Sequence, residues 1–383
     1  MVQHRRSMPR VLIVFAAMVV TGALMVGCND SAPSPSRGSS LSSPSATVNA
    51  QALSTAVDTF FDRSFAAGKS NVRAVLVSVD GQPVVNRYYR GSTASETANV
   101  ASVTKSVVST LVGIALAEGE LDGLDQTLRD LLPDYVRVMS SETAGITLRQ
   151  LLTMTAGLPP DTLDGRADRS VGGRDWVRSI LTKGTVQPPG QGFAYSSADS
   201  HLLAAIVVEA TGRPLLEYAR EKLFDPLGIV TRPAVQPLVS TEGGHQDYDR
   251  AAFAWPIDPQ GINVGFTLLK LTAPDMAKLG SLFVDDGRWN GRQLVPAQWI
   301  HEATSPLVPT GDGPGDHYGY QWWTMSADGH PAFAAIGIGG QIIEVVPDLR
   351  LVVTASTVIS EDVVFDAATF EVLTSTVIAP AIS

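Results

Sequence analysis

From Val100 to Ala117 the chain carries one charged side chain, Lys105. Around it Val107, Val108, Leu111, Val112, Ile114 and Leu116 leave no polar face at helical spacing. A helix that is apolar all round belongs inside a large core, so a buried helix is predicted over Ser102–Glu118, with a lysine in it. Ser102 lies three residues before Lys105 and so on the same helix face. Desolvation disfavours a buried ammonium and pulls its pKa toward neutrality. A neutral amine beside a hydroxyl can take its proton and make the serine a nucleophile. Ser102 would also stand at the helix N-terminus, where free N–H groups stabilise a developing oxyanion. A bare Ser-x-x-Lys arises often by chance. The plain alternative is a serine cap with a lysine snorkelling out of a helix end.

The remaining pattern places strands at both ends of the chain and helices between them. Ala52–Ala67 has helical spacing through Ala52, Val57, Phe60 and Phe61. Val72–Val79 and Val84–Tyr89, joined by Asp80-Gly81-Gln82-Pro83, predict a β-hairpin. Further helices are expected over Ser197–Thr211, stopped by Gly212 and Pro214, and over Ala273–Val284, with Pro274 in its first turn. Ala332–Ile338, Gln341–Val346 and Leu351–Ser356 read as late strands, and Val363–Ser375 as a closing helix. The two ends must then meet in one antiparallel sheet. The expected fold class is α+β, an α/β sandwich with helices flanking the sheet and a mainly helical inserted subdomain.

The first residues form a different kind of segment. Arg5, Arg6 and Arg10 precede an apolar or small stretch, Val11–Val26, that ends in Met25-Val26-Gly27-Cys28. This is the layout of a secretory signal over residues 1–28. Small residues before a cysteine resemble a bacterial lipobox, which would make Cys28 a lipidated N-terminus and the membrane a partner through that lipid. A plain signal peptide or an uncleaved anchor is the other reading, though a span needs about twenty apolar residues. Cys28 is the only cysteine, so neither a disulfide nor a catalytic thiol is available to the body. Residues 29–47, rich in Ser and Pro, read as a tether, with the folded domain over 48–383. The net charge of -10 disfavours nucleic acid and anionic lipid surfaces as partners.

Several segments in order resemble one known superfamily. Asn99–Lys105 with its apolar helix and Gly119-Glu120-Leu121, then Ile146–Leu158, Pro189–Ser197, Asp225-Pro226-Leu227-Gly228 and Gly337-Ile338-Gly339-Gly340-Gln341 are similar to the serine β-lactamase and penicillin-binding superfamily. The resemblance runs over about residues 55–375 and is nearest the class C-like esterases, D-aminopeptidase-like and 6-aminohexanoate-dimer hydrolase-like proteins. It implies the β-lactamase/transpeptidase-like fold and Ser102, Lys105 and Tyr195 as catalytic residues, Tyr195 being the second proton carrier. Without the resemblance, Tyr195 is a loop residue able to project into a cleft, or a core or rim tyrosine. Ser197 occupies the position of the family's Asn and lacks the amide's paired donor and acceptor. By position Gly340, beside Gly339, would complete the oxyanion hole with the Ser102 N–H. A glycine-rich strand edge without function is the alternative. Gly337-Ile338-Gly339 stands where relatives carry Lys-Thr-Gly or His-x-Gly, so the cation that holds a β-lactam carboxylate is missing, and weak or absent β-lactamase activity is expected.

Other signals carry less. The histidines of the body are scattered without ligand spacing, Gly311-x-Gly313-x-Gly315 is a loop, and no Gly-x-Ser-x-Gly elbow occurs. No metal and no cofactor is therefore expected. Of the adjacent Trp322 and Trp323 at most one can face a cleft, and core packing accounts for either. Three functions compete: a hydrolase of small or peptide-like esters and amides, a penicillin-binding or D-alanyl peptidase, and a non-catalytic binding or sensor lipoprotein.

Overall fold

The computed structural model describes residues 49–66, 71–162, 167–168, 171–239, 246–311, 313–359 and 367–382. The expected signal segment, Cys28 and the tether lie outside them. Along the chain, α1 (Ala50–Ala66) leads into β1 (Val72–Val79) and β2 (Gln82–Tyr88). A short β3 (Thr97–Asn99) precedes the apolar helix α2 (Val103–Glu118). The insertion follows as α3 (Leu128–Leu131), α4 (Ser141–Ala144), α5 (Leu148–Leu152), α6 (Trp176–Lys183), α7 (Ser197–Thr211), α8 (Leu215–Ala219) and α9 (Gln246–Arg250). It closes at β4 (Lys270–Thr272), which pairs with β3, and α10 (Ala273–Val284). Then come a small hairpin, β5 (Arg288–Trp289) and β6 (Arg292–Gln293), and α11 (Ala297–Ala303). The chain ends with β7 (Val308–Pro309), β8 (His317–Tyr318), β9 (Trp323–Ala327), β10 (His330–Gly337), β11 (Gln341–Val346), β12 (Leu351–Thr357) and α12 (Ala367–Leu373).

Eight strands form one antiparallel sheet in the order β2-β1-β12-β11-β10-β9-β8-β7. The first hairpin therefore pairs with the last strand, Val75 opposite Ala355 and Val77 opposite Val353. The side chains of β11 alternate: Ile342 and Val346 pack on one side, Ile343 and Val345 on the other. One face carries α1 and α12 through Leu53, Val57, Phe61, Phe370 and Leu373. The other receives α2 and α10, with Phe333, Ala335 and Val352 meeting the core of the insertion. The sheet is covered on both faces, and both helix layers are amphipathic or apolar where they touch it. This is the α+β sandwich with a helical insertion that the pattern predicts.

Local chemistry sets the element ends. Helix α2 stops at Gly119, whose φ of 76° lets its N–H reach back to Ala115 O and Leu116 O. Helix α10 starts where Thr272 Oγ1 accepts the Asp275 N–H at 3.1 Å, and Pro274 needs no intrahelical donor there. The hairpin turn is tighter than its sequence suggests. Asp80 and Gly81 alone make it, at φ 49° and 72°, while Gln82 and Pro83 already belong to β2. Pro83 is tolerated because β2 is an edge strand and the register slips there, Val77 pairing with Val85 but Ser78 with Pro83. After α12 the chain continues in a wider helical turn, Thr374–Ile378.

Candidate active site

Ser102 stands at the start of α2, directly after a strained turn. Ala101 has φ 48°, a left-handed conformation that costs a residue with a Cβ roughly 1–2 kcal/mol. Asn99 holds it there: its Oδ1 accepts the Ala101 N–H at 2.9 Å and the Leu268 N–H at 3.2 Å. The Val103 and Thr104 N–H groups are bonded to Val100 O and Ala101 O, whereas the Ser102 N–H has no acceptor among the described residues. The hydroxyl is half-buried at the wall of a cavity of about 720 Å³. Around it lie Pro160, Asp161, Tyr195, Phe266, Trp323 and Ile338.

Lys105, one turn on, is 2% exposed. Its Nζ donates to Ser197 Oγ at 3.1 Å and to the Phe266 carbonyl at 3.4 Å. It also lies 5.0 Å from the Tyr195 ring centroid and 5.1 Å from that of Phe266. Burial pushes its pKa down to about 8, against the opposing pull of Asp161 and Asp199. Asp199 is itself buried, and desolvation, with Asp161 nearby, holds its carboxyl well above the usual range.

Tyr195 reaches the same place from the loop before α7. That loop is stitched to the segment after α5: the Ala194 N–H donates to Met154 O at 2.9 Å, the Asp161 N–H to Tyr195 O at 2.9 Å, and Ser196 Oγ to Pro159 O at 2.8 Å. Ser102 lies within electrostatic reach of the Tyr195 hydroxyl, and both residues line the cavity. Burial raises the Tyr195 pKa above the ordinary tyrosine value, and Ser102 works against that rise. Trp323 stacks on the Tyr195 ring, centroids 5.5 Å apart at 20°. Its neighbour Trp322 points the other way and packs on Phe283 at 4.3 Å, so one tryptophan of the pair does face the cleft. Ser102, Tyr195 and Ser197 thus line one cavity, with Lys105 buried behind and bonded to Ser197.

The strand edge departs from its expected assignment. Gly340 does not offer a free N–H: it donates to Gly337 O at 3.1 Å. Gly339 and Gly340 are buried, and the Gly339 carbonyl accepts from Thr357 Oγ1 at 2.6 Å, away from the cavity. The lining residues are Ile336 and Ile338. Strand β10 ends at Gly337, and the approach to the nucleophile happens there. A Cβ on Gly337 would lie 2.5 Å from Val100 O and 3.0 Å from the Ala101 Cβ. The strand-edge element is therefore Ala335-Ile336-Gly337, two residues earlier than the run of glycines suggests. The residue after it, Ile338, has an N–H without an acceptor among the described residues.

Three supporting groups escaped the sequence reading. Asp161 belongs to none of the motifs picked out in the chain, yet its carboxylate accepts the Ser197 N–H and the Ser197 hydroxyl, both at 2.7 Å. Phe266 contributes a backbone carbonyl, which no side-chain pattern can announce. His201, fully buried, bonds Asp258 through Nε2 at 3.1 Å and accepts the Gly265 N–H at Nδ1, 3.4 Å away. It steadies the loop that presents the Phe266 carbonyl. The spacing of His201, Asp258 and Gly265 along the chain gives no hint of this.

Comparison with known proteins bears on the family and the fold. The Beta-lactamase family profile matches residues 57–373. Penicillin-binding protein 4 of Amycolatopsis lactamdurans is 28% identical over 262 residues, 64% of this chain and 68% of that protein. The 6-aminohexanoate-dimer hydrolase of Paenarthrobacter ureafaciens is 26% identical over 285 residues, 68% of this chain and 66% of that one. Among solved structures, EstCE1, a hydrolase with promiscuous acyltransferase activity, superposes with a TM-score of 0.67 at 18% identity. It covers 88% of this chain and 100% of its own, a likeness of fold.

Proposed function

This chain belongs to the beta-lactamase family, and on that premise we propose that it is a serine hydrolase cleaving an ester or amide through an acyl-enzyme on Ser102. The observation that carries the reading is the meeting of Ser102 and Tyr195 at one cavity, backed by a buried Lys105 whose pKa is lowered to about 8. Lys105 accepts the Ser102 proton, and Ser102 Oγ bonds to the substrate carbonyl carbon. The oxyanion is received by the N–H groups of Ser102 and Ile338. As the carbon–leaving-group bond breaks, Tyr195 passes a proton to the leaving group and is reprotonated from Lys105. Water then attacks the acyl-enzyme, gives its proton to the Lys105–Tyr195 pair, and releases the acid with Ser102 restored.

The cavity favours an ester or amide with apolar flanks. Its described lining joins Phe266, Trp323, Ile336, Ile338 and two prolines to one carboxylate, Asp161. At the strand edge Ala335-Ile336-Gly337 supplies no cation to hold a substrate carboxylate, which counts against β-lactams and D-alanyl peptides. Attachment to a membrane through a lipid on Cys28 is part of the same proposal, supported by the basic, apolar and small-residue order of residues 1–28. No helix of the described residues is long and apolar enough to cross a membrane.

A fluorophosphonate probe tests the reaction. It should label the protein and not its Ser102→Ala variant. Equal labelling of both, or of neither, ends the proposal. A panel of p-nitrophenyl esters, a linear amide dimer, D-alanyl peptides and a chromogenic cephalosporin should then show turnover of the first two classes above the last two. Intact mass of the protein from bacterial membranes should show acyl chains that vanish in Cys28→Ser.

A further inference from the structure

We propose that Asp161 is a positioning residue that fixes the direction of the Ser197 proton and thereby keeps the lone pair of Lys105 free for Ser102. The inference rests on the serine-hydrolase reading above. It follows from counting hydrogens around Ser197 and Lys105. The Ser197 N–H donates to one oxygen of Asp161 and the Ser197 hydroxyl to the other, both at 2.7 Å. A carboxylate only accepts, so the single hydroxyl proton of Ser197 is committed to Asp161. Ser197 Oγ can then only accept from Lys105, 3.1 Å away. The Phe266 carbonyl, at 3.4 Å, likewise can only accept. A neutral amine has two N–H bonds and one lone pair. Both N–H bonds are taken by these two oxygens, and the remaining tetrahedral position is the lone pair. Ser102 lies one turn back on the same helix and lines the cavity together with Ser197.

The arrangement also explains how a serine serves where relatives carry Asn. An amide presents an oxygen that cannot donate. A hydroxyl can face either way, and turned toward Lys105 it would donate to the lone pair and silence the base. Asp161 removes that choice. It is fixed for the task from the loop itself, since its own N–H bonds Tyr195 O at 2.9 Å. The ionisable groups facing Lys105 among the described residues are Asp161, Asp199 and Tyr195, the last backed by Tyr318.

The test is a double-mutant cycle in the full chain with Asp161→Asn, Ser197→Ala and the pair. In Asp161→Asn the Ser197 N–H keeps the amide oxygen on its side, so the amide NH₂ turns to Ser197 Oγ and reverses the hydroxyl. On a p-nitrophenyl ester, kcat should fall about 100-fold with KM within about threefold, the lower range for loss of a general base. Ser197→Ala removes one partner and leaves the lone pair free, so its loss should be only about 10-fold. The double variant should recover to the level of Ser197→Ala, because no hydroxyl is left to compete. The rising limb of kcat/KM against pH should also move to lower pH in the double variant, since the carboxylate that stabilises the Lys105 charge is gone. Thermal unfolding of each variant separates misfolding from these effects. Losses that simply multiply in the double variant, or Asp161→Asn as active as the parent, overturn the proposal. Absence of Ser102 labelling in the parent would instead defeat the hydrolase reading on which it stands.

Discussion

Lys105 and Glu344 are each 2% exposed, on opposite faces of the same sheet. Burial drives both away from charge: it pushes Lys105 down to about 8 and Glu344 up to about 7. Their surroundings differ. Lys105 has two acceptors for its hydrogens, two carboxyls nearby and a serine and tyrosine that line a cavity beside it. Glu344 has Thr374 Oγ1 at 2.6 Å on one oxygen and no partner for the other among the described residues. Around it Ile342, Val346 and Leu373 form a dry layer under α12. A displaced pKa thus marks a site only where a cavity and a reactive partner accompany it. On the helix-covered back face the same physics leaves a cost to stability.

Substitutions on the two faces should diverge accordingly. The largest effect is expected from Lys105→Ala, which should lower kcat on an activated ester about 10³- to 10⁴-fold, read against far-ultraviolet circular dichroism to confirm folding. Loss of less than tenfold would move the base elsewhere. Next is the pH profile of kcat/KM. The active form is the neutral amine, so activity should rise with pH through about 8 and differ about fiftyfold between pH 6 and pH 8. A flat profile over that range contradicts the assignment.

Glu344→Gln should leave that profile untouched and change stability instead. Its folded pKa lies above the ordinary 4.5, so the folded state holds an extra proton between about 4.5 and about 7. Stability of the parent therefore falls as pH rises through this window, and the loss is complete above it. Relative to the parent, the glutamine variant should gain up to about 3 kcal/mol between pH 4 and pH 8, measured by urea unfolding. A difference independent of pH would show that Glu344 stays uncharged or finds a partner on folding. The smallest effect belongs to Gly337→Ala, whose new Cβ meets Val100 O and displaces the nucleophile turn. It should cost roughly tenfold in kcat with little change in unfolding midpoint. An unchanged kcat would mean that the strand edge can retreat from Ser102.

Much of the front face is visible in the residues themselves. An apolar run with one lysine specifies a buried helix because no orientation of it leaves a polar side, and the nucleophile follows three residues before. Alternating and β-branched residues near both ends specify strands whose faces need covering, which forces the hairpin onto the last strand. Glycine bookkeeping misled at the cleft: Gly339 and Gly340 serve the β10–β11 connection, and the close approach to Ser102 occurs at Gly337, whose neighbour lies far away in the chain. Pro83 sits in β2 and not in the expected turn, and the edge position that permits it is a property of the whole sheet.

By itself the sequence determined the helix that carries Ser102 and Lys105, the strands at the two ends and the order in which the motifs appear. Those are consequences of spacing and polarity, which are local. Only the tertiary structure decided that the Ser197 hydroxyl donates to Asp161, that the Phe266 carbonyl accepts from Lys105, and that Ile338 lines the cavity. Hydrogen-bond direction and the close approach of two backbones depend on groups far apart in the chain, and no spacing along it records where they meet.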